Sequence, residues 1–182
     1  MVKRRHILST IRKGKGYSNP AISVILPAQN AEKTIHSCIS SLLGQSCAQR
    51  YEIIVVDDGS TDNTRKIVQS FNGSIRLFAQ QHRGSYAARN LGILRAKGKL
   101  LAFIDADCTA DVHWLTNVVS PFKDKSVALV GGSILAQEKK TFVQGYCDIY
   151  CHDQESYLKS SPSYFAAANI AVRKQWKGKP VF

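Results

Sequence analysis

The sequence predicts an α/β fold with a mostly parallel central sheet, and three observations support that prediction. Short runs rich in β-branched residues alternate along the 182-residue chain with longer helix-like stretches. The strand-like runs are continuously apolar rather than alternating, which is typical of strands that helices cover on both faces. Polar residues follow three of these runs directly, as they do where ligands bind at the carboxyl ends of parallel strands. A parallel sheet with right-handed crossover helices fits all three observations.

Strands and helices are expected in nearly regular alternation. Apolar, β-branched composition predicts the strands, and longer stretches between turn signals predict the helices. The strands are expected at residues 22–26, 53–56, 75–78, 100–104 and 127–130, and the helices at 31–43, 62–71 and 85–97. Ser60, Thr61 and Asp62 are good N-cap residues for the second helix. The mixture of small and aromatic residues at 163–173 predicts either a buried strand or the start of a helix.

The composition is that of one globular domain. Hydrophobic residues make up 44% and charged residues 21% of the chain, which excludes the disordered and collagen-like classes. The longest apolar runs are far shorter than the roughly 20 residues that cross a bilayer.

The cysteines and the first residues indicate a cytoplasmic location. The five cysteines are odd in number and lack the paired C-x2-C spacing of zinc modules, so we expect reduced and mostly buried thiols. The start of the chain lacks the apolar core and cleavage site of a secretory signal.

Positive charge is concentrated at the start of the chain. The net charge is +12, and the first sixteen residues hold six cations and no acid: Lys3, Arg4, Arg5, Arg12, Lys13 and Lys15. We therefore divide the chain into a basic tail, residues 1–19, and one domain, residues 20–182. The tail is interpreted either as a solvated terminus or as a peripheral contact with the anionic inner face of a membrane. Aromatic residues interleaved with basic ones are missing, so no specific nucleic-acid contact is expected.

Two adjacent acids, Asp57 and Asp58, follow the second predicted strand. Helix capping accounts for the later Ser60, Thr61 and Asp62, but not for a pair of acids directly after an apolar run. A carboxylate at a strand end can accept hydrogen bonds from a base edge or from ribose hydroxyls. Asp58 is therefore predicted to contact a nucleotide.

Asp105 and Asp107 follow the fourth predicted strand, with one residue between them. Because side chains alternate along an extended chain, both carboxylates point to one side. They repel each other unless a cation lies between them, and Mg2+ and Mn2+ prefer such oxygen ligands. The pair is interpreted either as a metal site or as two solvated turn residues.

A stretch rich in glycine and alanine, residues 82–92, opens the third predicted helix. Gly84 allows close backbone approach, and the N-terminus of a helix attracts phosphate. Arg89 lies about one turn inside, and it is predicted either to reach a diphosphate or to pair with Asp58 or Asp107. The small side chains are also consistent with close packing of the helix on the sheet.

Taken together, these stretches resemble the family-two glycosyltransferases of the GT-A fold. The resemblance rests on residues 22–30, 52–64, 84–92 and 101–107, and on residues 168–173, which are similar to the acceptor-side segment of that family. It implies a Rossmann-like three-layer α/β/α sandwich. It also implies a nucleotide-diphosphate sugar donor, often UDP-linked, that binds with Mg2+ or Mn2+, and a role in cell-envelope polysaccharide or glycolipid biosynthesis.

The resemblance also implies roles for individual residues. The nucleotide-sugar pocket would include Pro27, Ala28, Asn30, Asp58, Gly84, Arg89 and Asp105. Asp58 would contact the base, and Asp107 would be the principal metal ligand. Asp105 would face the sugar, the ribose or the cation, and Asn169 would lie on the acceptor side. The sugar would be transferred with inversion to a saccharide or lipid acceptor.

Inversion requires a general base that deprotonates the acceptor hydroxyl. Family members usually place this base some tens of residues beyond the segment matched by residues 169–173, whereas this sequence has no Asp or Glu after Glu155. The base is expected either to be Asp148, Asp153 or Glu155, or to be missing from a shortened family member. In the second case the chain would be a nucleotide-sugar-binding remnant with impaired turnover.

Overall fold

The computed structural model describes residues 19–134 and 168–174. In these ranges the strands are β1 (Ile22–Ala28), β2 (Tyr51–Asp58), β3 (Arg76–Gln80), β4 (Leu100–Ile104), β5 (Leu129–Gly131) and β6 (Asn169–Arg173). The helices are α1 (Ile35–Leu43), α2 (Thr64–Gln69), α3 (Ser85–Arg95) and α4 (Trp114–Val119), and a 3₁₀ turn, Ser120–Lys123, follows α4. The predicted basic tail up to residue 18 and the base candidates Asp148, Asp153 and Glu155 lie outside the described residues.

The strands form one sheet in the order β3-β2-β1-β4-β6-β5. β1 pairs in parallel with β2 and β4, and β2 pairs in parallel with β3. β6 pairs antiparallel with β4, where Asn169 is opposite Ile104, and antiparallel with β5. The predicted mostly parallel sheet is therefore confirmed, and the segment from Asn169 is a strand rather than a helix start. The strand order reverses at β1, which lies between β2 and β4.

Helices cover both faces of the sheet. On one face, apolar side chains of α1, α2 and α4 pack with alternate residues of β1, including Val24 and Leu26. On the other face, Ala88 and Ile93 of α3 pack with Ile25 and with residues of β2 and β4. All of β1 is buried, which accounts for its nearly unbroken apolar sequence. This arrangement is the predicted three-layer α/β/α sandwich.

α1 begins at Ile35, four positions later than the predicted residue 31. The amide of Ala31 donates instead to Thr64 Oγ1, and the amide of Glu32 donates to Asp62 Oδ2. Bonds to Asp62, in the loop after β2, and to Thr64, the first residue of α2, therefore hold residues 31 and 32 outside the helix.

Other boundaries also differ from the prediction. α2 spans only Thr64–Gln69, and α3 ends at Arg95 because Ala96 is extended, with ψ of 135°. β2 continues through Asp57 and Asp58 instead of ending before them. β3 begins one residue and ends two residues later than predicted. β5 begins two residues and ends one residue later than predicted.

The sequence does not predict α4, although its pattern is visible in retrospect. Its buried residues Trp114, Leu115, Val118 and Val119 recur at helical spacing, but the helix has only six residues. None of the helices in the described ranges combines the length and the apolar composition that a bilayer crossing requires.

The described cysteines, Cys38, Cys47 and Cys108, are free thiols. Cys38 is buried, whereas the other two are half-buried, so the expected burial holds fully for Cys38 alone among them. Burial is the main reason that the pKa of Cys38 is raised to about 12.

At the amino ends of the parallel strands, a polar network joins β1, β2 and the α3–β4 connection. The hydroxyl of Ser23 donates to Glu52 Oε1 at 2.6 Å and accepts from the Gly98 amide at 2.8 Å. Burial would raise the pKa of Glu52, but hydrogen bonds from Ser23, the Lys97 amide and Arg76 hold it below its usual range. The Glu52 carboxylate is therefore ionised and engaged inside the fold.

A basic cavity of about 440 Å³ opens at the same end of the sheet. Among the described residues its lining includes Asn19 and the exposed cations Arg50, Lys97 and Lys99, and no acidic side chain. We call these three cations the basic edge. Asn19, the last residue of the predicted basic tail, lies at this cavity.

Candidate functional site

The carboxyl ends of β1, β2 and β4 surround an open cavity of about 590 Å³. Most of the residues predicted for the site line it: Pro27, Ala28, Asn30, Asp58, Arg89, Asp105 and Asp107. Gly84 and Asn169 are not among the lining residues. The cavity lies at β1, where the strand order reverses, and this is the position at which open α/β sheets bind ligands.

Reciprocal hydrogen bonds tie the loops after β1 and β2 together. Three successive amides, beginning with that of Asn30, donate in turn to Ser60 Oγ, Thr64 Oγ1 and Asp62 Oδ2. In the other direction, the side-chain oxygen of Asn30 accepts from the Thr61 amide at 2.9 Å. Asn30 therefore shapes the cavity wall by joining two loops.

Asp58 is 2% exposed and binds the segment that follows β3. Its Oδ1 accepts from Gln80 Nε2 at 2.6 Å and from the Arg83 amide at 2.9 Å. Its Oδ2 lies 2.9 Å from His82 Nδ1 and accepts from the Gly84 amide at 2.8 Å. Burial would raise the pKa of Asp58, but these hydrogen bonds together hold it below its usual range. At the cavity wall, then, Asp58 is a carboxylate already surrounded by protein donors.

The neighbouring Asp57 belongs to a different environment. It is fully buried and pairs with Arg65 Nη2 at 2.6 Å. Because successive side chains of a strand point to opposite faces, Asp57 does not line the cavity that Asp58 lines. Of the two adjacent acids, only Asp58 is part of the candidate site.

Arg89 pairs with Asp105, and among the described residues it has no ion pair with Asp58 or Asp107, the partners that the sequence suggests. The Arg89 side chain is only 6% exposed, whereas that of Asp105 is 35% exposed. Within the described ranges, Arg89 Nε is buried and without a hydrogen-bond acceptor. The Tyr86 ring lies 5.9 Å from the guanidinium carbon. A buried cation thus lines the cavity with part of its hydrogen-bonding capacity unused.

Asp107 is exposed in the cavity, and its described side-chain contacts are few. Its described side-chain contact is a weak one, from Cys108 Sγ to Oδ1 at 3.6 Å. In the ranges that the structure describes, no group of three or more His, Cys, Asp or Glu side chains could hold a metal ion. The pair Asp105 and Asp107 thus forms no closed protein cage. A cation such as Mg2+ or Mn2+ bound to these oxygens would complete its shell with water and phosphate oxygens.

α3 begins beside the cavity without a side-chain cap. Gly84 is its N-cap residue with φ of 90°, a conformation that favours glycine, and it has no side chain that could cap the helix. Ser85, the first residue of this eleven-residue helix, lines the cavity. Uncapped amides at a helix start carry partial positive charge, so this end of α3 suits an anion beside Arg89.

The side chain of Asn169 forms hydrogen bonds inside the fold. Its Oδ1 accepts from Trp114 Nε1 at 2.8 Å, and its Nδ2 donates to the Ser133 carbonyl at 2.8 Å. The residue is 9% exposed and connects α4 with the chain that follows β5. A contact between this amide and an acceptor stays a prediction, and it would compete with these internal bonds.

The cavity also includes residues that the sequence analysis does not assign to the site, among them Lys33 and Thr34. A signal for them exists in the polar run after the first strand. Because the sequence predicts a helix from residue 31, it assigns these side chains to the surface of a helix. In the structure they precede α1 and line the cavity.

An open, mostly parallel sheet with acids at its switch point and an uncapped helix start beside them is the architecture of α/β proteins that bind nucleotides. The model of the family described as glycosyl transferase family 2 matches residues 23–176. The chain belongs to this family of glycosyltransferases, as the sequence resemblance predicts.

Two curated relatives illustrate the match. The chain is 38% identical over 120 residues to glycosyltransferase AglE of Haloferax volcanii, which covers 63% of this chain and 40% of AglE. It is 40% identical over 98 residues to the UDP-Glc:alpha-D-GlcNAc-diphosphoundecaprenol beta-1,3-glucosyltransferase WfgD of Escherichia coli, which covers 53% of this chain and 37% of WfgD. The chain thus spans about two fifths of the length of these relatives.

Solved structures confirm the predicted GT-A fold. The match with TarS 1-349 of S. aureus in complex with UDP covers 66% of this chain and 37% of the TarS chain, with a TM-score of 0.57 and 26% sequence identity. The mannosyltransferase PcManGT of Pyrobaculum calidifontis, in complex with GDP-Man and Mn2+, matches 87% of this chain and 46% of its own, with a TM-score of 0.67 and 22% identity.

Proposed function

We propose that this chain binds a nucleotide-diphosphate sugar together with Mg2+ or Mn2+ and transfers the sugar, with inversion, to a saccharide or lipid acceptor. The observation that carries the proposal is the cavity of about 590 Å³ that unites the end of β1, Arg89, Asp105 and Asp107. Small-molecule pockets typically measure roughly 300–1,000 Å³, so its size suits such a donor. Membership of glycosyl transferase family 2 supports the reaction class.

The donor is expected to be UDP-linked. TarS, at 26% identity, was solved with UDP and with UDP-GlcNAc, and the name of WfgD includes UDP-Glc. In the proposed complex Pro27, Ala28 and Asn30 line the nucleotide. The first turn of α3, from Gly84 onward, and Arg89 face the diphosphate.

Asp107 is proposed as the principal cation ligand, with Asp105 as a second ligand that also binds Arg89. Asp107 is exposed in the cavity, so it can bind a cation at little cost to the fold. A bound divalent cation would neutralise the charge that develops on the diphosphate leaving group. The buried guanidinium of Arg89 adds a fixed positive charge at the same end of the cavity.

The acceptor is proposed to be a saccharide or lipid-linked saccharide of the cell envelope. The name of WfgD includes a sugar on diphosphoundecaprenol, and TuaG of Bacillus subtilis, 34% identical over 125 residues, is named for teichuronic acid biosynthesis. The acceptor hydroxyl needs a base, for which Asp148, Asp153 and Glu155 remain the candidates outside the described residues. If none of them serves, the alternative is donor binding with impaired turnover.

We also propose a cytoplasmic location with peripheral contact to an anionic membrane through the basic tail. The free thiols of Cys38, Cys47 and Cys108 support a reducing compartment. The position of the basic edge, where the tail joins the domain, supports the peripheral contact.

Calorimetric titration tests the proposal. UDP-GlcNAc, UDP-Glc and GDP-Man would be titrated with and without Mn2+ into the parent protein and into Asp107→Asn. The parent should bind at least one donor more tightly with Mn2+, and Asp107→Asn should weaken that binding by about 1–3 kcal/mol, the scale of a lost charge-assisted contact. Asp124→Asn, which removes an exposed carboxylate outside the cavity, should bind like the parent.

Two results would contradict the proposal: no donor bound by the parent, or equal Mn2+-dependent binding by the parent and Asp107→Asn. A sugar-transfer assay with a broad acceptor panel on the same samples then separates the transferase from the donor-binding remnant. Turnover near an ordinary enzyme rate, about 1 per second or more, would exclude the remnant.

A further inference from the structure

We propose that Ser41 and Gln45 are positioning residues for the cation, and that they act by fixing the loop that carries Asp107. This role rests on the proposed function, because it presupposes that Asp105 and Asp107 bind Mg2+ or Mn2+. The loop, residues 105–113, connects β4 with α4. Neither Ser41 nor Gln45 lines the cavity, so neither would touch the cation or the donor.

The position of the Asp107 carboxylate depends on the main chain that carries it. Among the residues that the structure describes, its side-chain contact is the weak one from Cys108 Sγ, at 3.6 Å. The loop begins with a tight turn, in which the Cys108 amide donates to the Asp105 carbonyl at 3.1 Å. The path of the loop therefore sets the place of the carboxylate, and whatever holds the loop determines where a cation would bind.

Side chains of α1 bind this loop at its start and again beyond Asp107. Cys38 Sγ donates to the Asp105 carbonyl at 3.5 Å. Ser41 Oγ accepts from the Ala110 amide at 3.0 Å and donates to the Cys38 carbonyl at 2.7 Å. Because residues three apart on a helix share a face, Cys38 and Ser41 reach the loop from the same side of α1.

Gln45, just beyond the end of α1, binds the end of the loop. Its Nε2 donates to the Asp111 carbonyl at 2.6 Å and to the Ser41 carbonyl at 3.1 Å. Its Oε1 accepts from the Leu115 amide at 2.8 Å, in the first turn of α4. Since the amide nitrogen can only donate and the amide oxygen can only accept, this orientation satisfies both. One side-chain amide thus joins α1, the loop and α4.

α1 is a rigid support for these bonds. Its side chains Ile35, Ile39 and Leu42 are fully buried in the core. Just beyond the helix, the Ser46 amide donates to the Val112 carbonyl at 2.8 Å and adds a backbone link to the same loop. A binding group keeps its geometry when such a supporting shell holds it, and shifts when the shell is loosened.

The two possible roles of Ser41 and Gln45 predict different effects of their loss. If they only stabilise the fold, their loss lowers the free energy of unfolding, and the protein that remains folded responds to Mn2+ like the parent. If they position Asp107, their loss weakens the contribution of the cation in protein that is fully folded.

Calorimetry with UDP, with and without Mn2+, measures this contribution. The titrations would use the parent, Ser41→Ala and Gln45→Ala at a temperature at which circular dichroism shows each to be folded. Mn2+ should raise the affinity for UDP about 3- to 10-fold less in each variant than in the parent, the effect of one lost hydrogen bond. The affinity for UDP without Mn2+ should stay nearly unchanged, because neither side chain lines the cavity.

Ser41→Thr and Ser40→Ala are the matched controls. Threonine keeps the hydroxyl, which in a helix can still bond the carbonyl three residues earlier, so Ser41→Thr should respond to Mn2+ like the parent. Ser40 is exposed on the same helix and does not line the cavity, so Ser40→Ala should also respond like the parent.

A double variant gives a readout that a general loss of stability would not produce. If Ser41 acts through Asp107, then adding Ser41→Ala to Asp107→Asn should cause no further loss of the response to Mn2+, because the carboxylate that Ser41 positions is already gone. Effects that are independent would add instead.

Three results would overturn the inference: a parent-like response to Mn2+ in both alanine variants, a loss in Ser41→Thr as large as in Ser41→Ala, or additive losses in the double variant. If one alanine variant does not fold, the other decides by the same comparison. Failure of the proposed function would look different, because the parent itself would then show no UDP binding that depends on Mn2+.

Discussion

At the residue scale, Asp58 links the stability of the fold to pH. Its pKa is lowered in the folded protein, because the hydrogen bonds outweigh the effect of burial. A lowered carboxyl pKa stabilises the folded state above the ordinary value of 3.8. That contribution is lost as the pH falls through the lower value of the folded state.

We therefore expect Asp58→Asn to be destabilised mainly at neutral pH. Urea unfolding followed by circular dichroism should show the largest difference from the parent at pH 7, and the difference should shrink below about pH 4 as the parent carboxyl becomes protonated. A difference that stays constant from pH 7 to pH 3 would show that the ionised form of Asp58 is not what stabilises the fold.

The sequence predicts which residues meet at the cavity, but not what each of them binds. Strand-end position is enough to bring Asp105 and Asp107 to the edge of the sheet where Asp58 lies. By contrast, Arg89 binds an acid 16 residues further along the chain, and Asn169 binds a tryptophan 55 residues away. Such pairings depend on how the loops pack, which local propensity does not encode.

At the scale of elements, the cap residues that the sequence suggests form both local and tertiary hydrogen bonds. Asp62 Oδ1 accepts from the Thr64 amide at the start of α2, and Asp62 Oδ2 accepts from the Glu32 amide of another loop. None of α1, α2, α3 and α4 has a side-chain hydrogen bond from its N-cap residue. The hydroxyl of Ser60, a predicted N-cap oxygen, instead binds the Asn30 amide of another loop. The existence of the first three helices is predictable from composition, and α3 begins at the predicted Ser85. The start of α1, by contrast, depends on partners about 30 residues away.

The connection from α3 to β4 passes so close to β1 that only glycine fits at residue 98. A Cβ on Gly98 would lie 2.5 Å from the Ser23 nitrogen and 2.6 Å from the Ile22 carbonyl carbon. These are backbone atoms of a central strand, which cannot move aside without disturbing its pairing. Gly98→Ala should therefore lower the free energy of unfolding by about 1–3 kcal/mol.

Urea unfolding measures this effect, with Gly44→Ala as the control. A Cβ on Gly44 would meet its nearest atom at 3.5 Å, an ordinary contact, so that change should be nearly neutral. If the two variants differed by less than about 0.5 kcal/mol, the close approach at Gly98 would not limit stability.

At the scale of the whole molecule, the acids of the candidate site and the cations of the basic edge lie at opposite ends of the strands. Asp105 and Asp107 line the cavity at the carboxyl ends, whereas the basic edge lines the cavity at the amino ends. The six cations of the first sixteen residues precede Asn19, which lies at the basic edge. We expect attraction of this end to an anionic membrane, at about 1 kcal/mol per basic residue near the surface.

Vesicle sedimentation tests this expectation. Replacing the three cations of the basic edge with glutamine, and deleting residues 1–16, should each reduce binding to anionic vesicles, more at low than at physiological salt. The charge-matched control replaces three exposed lysines elsewhere with glutamine, Lys66, Lys123 and Lys125. It should keep most of the binding. An equal loss in the control would show that net charge matters and its placement does not, and unchanged binding in the first two variants would contradict the membrane contact.

The layered fold is the most predictable property of the whole molecule. Strands buried on both faces leave continuous apolar runs, so the covered parallel sheet follows from β1, β2 and β4. β6 is harder to predict, because its antiparallel pairing with β4 joins segments separated by more than sixty residues. No local pattern states which edge of the sheet such a strand will extend.

The separation of the two ends has a consequence for the length of the acceptor. β2 has eight residues, and a strand rises about 3.3 Å per residue, so the basic edge and the cavity at the carboxyl ends are about 25 Å apart. A molecule resting on a bilayer by its basic edge would open its cavity toward water at that height. Under the proposed function, a lipid-linked acceptor would reach the cavity of a molecule in this orientation only if the group between its lipid and the reacting hydroxyl bridged this distance.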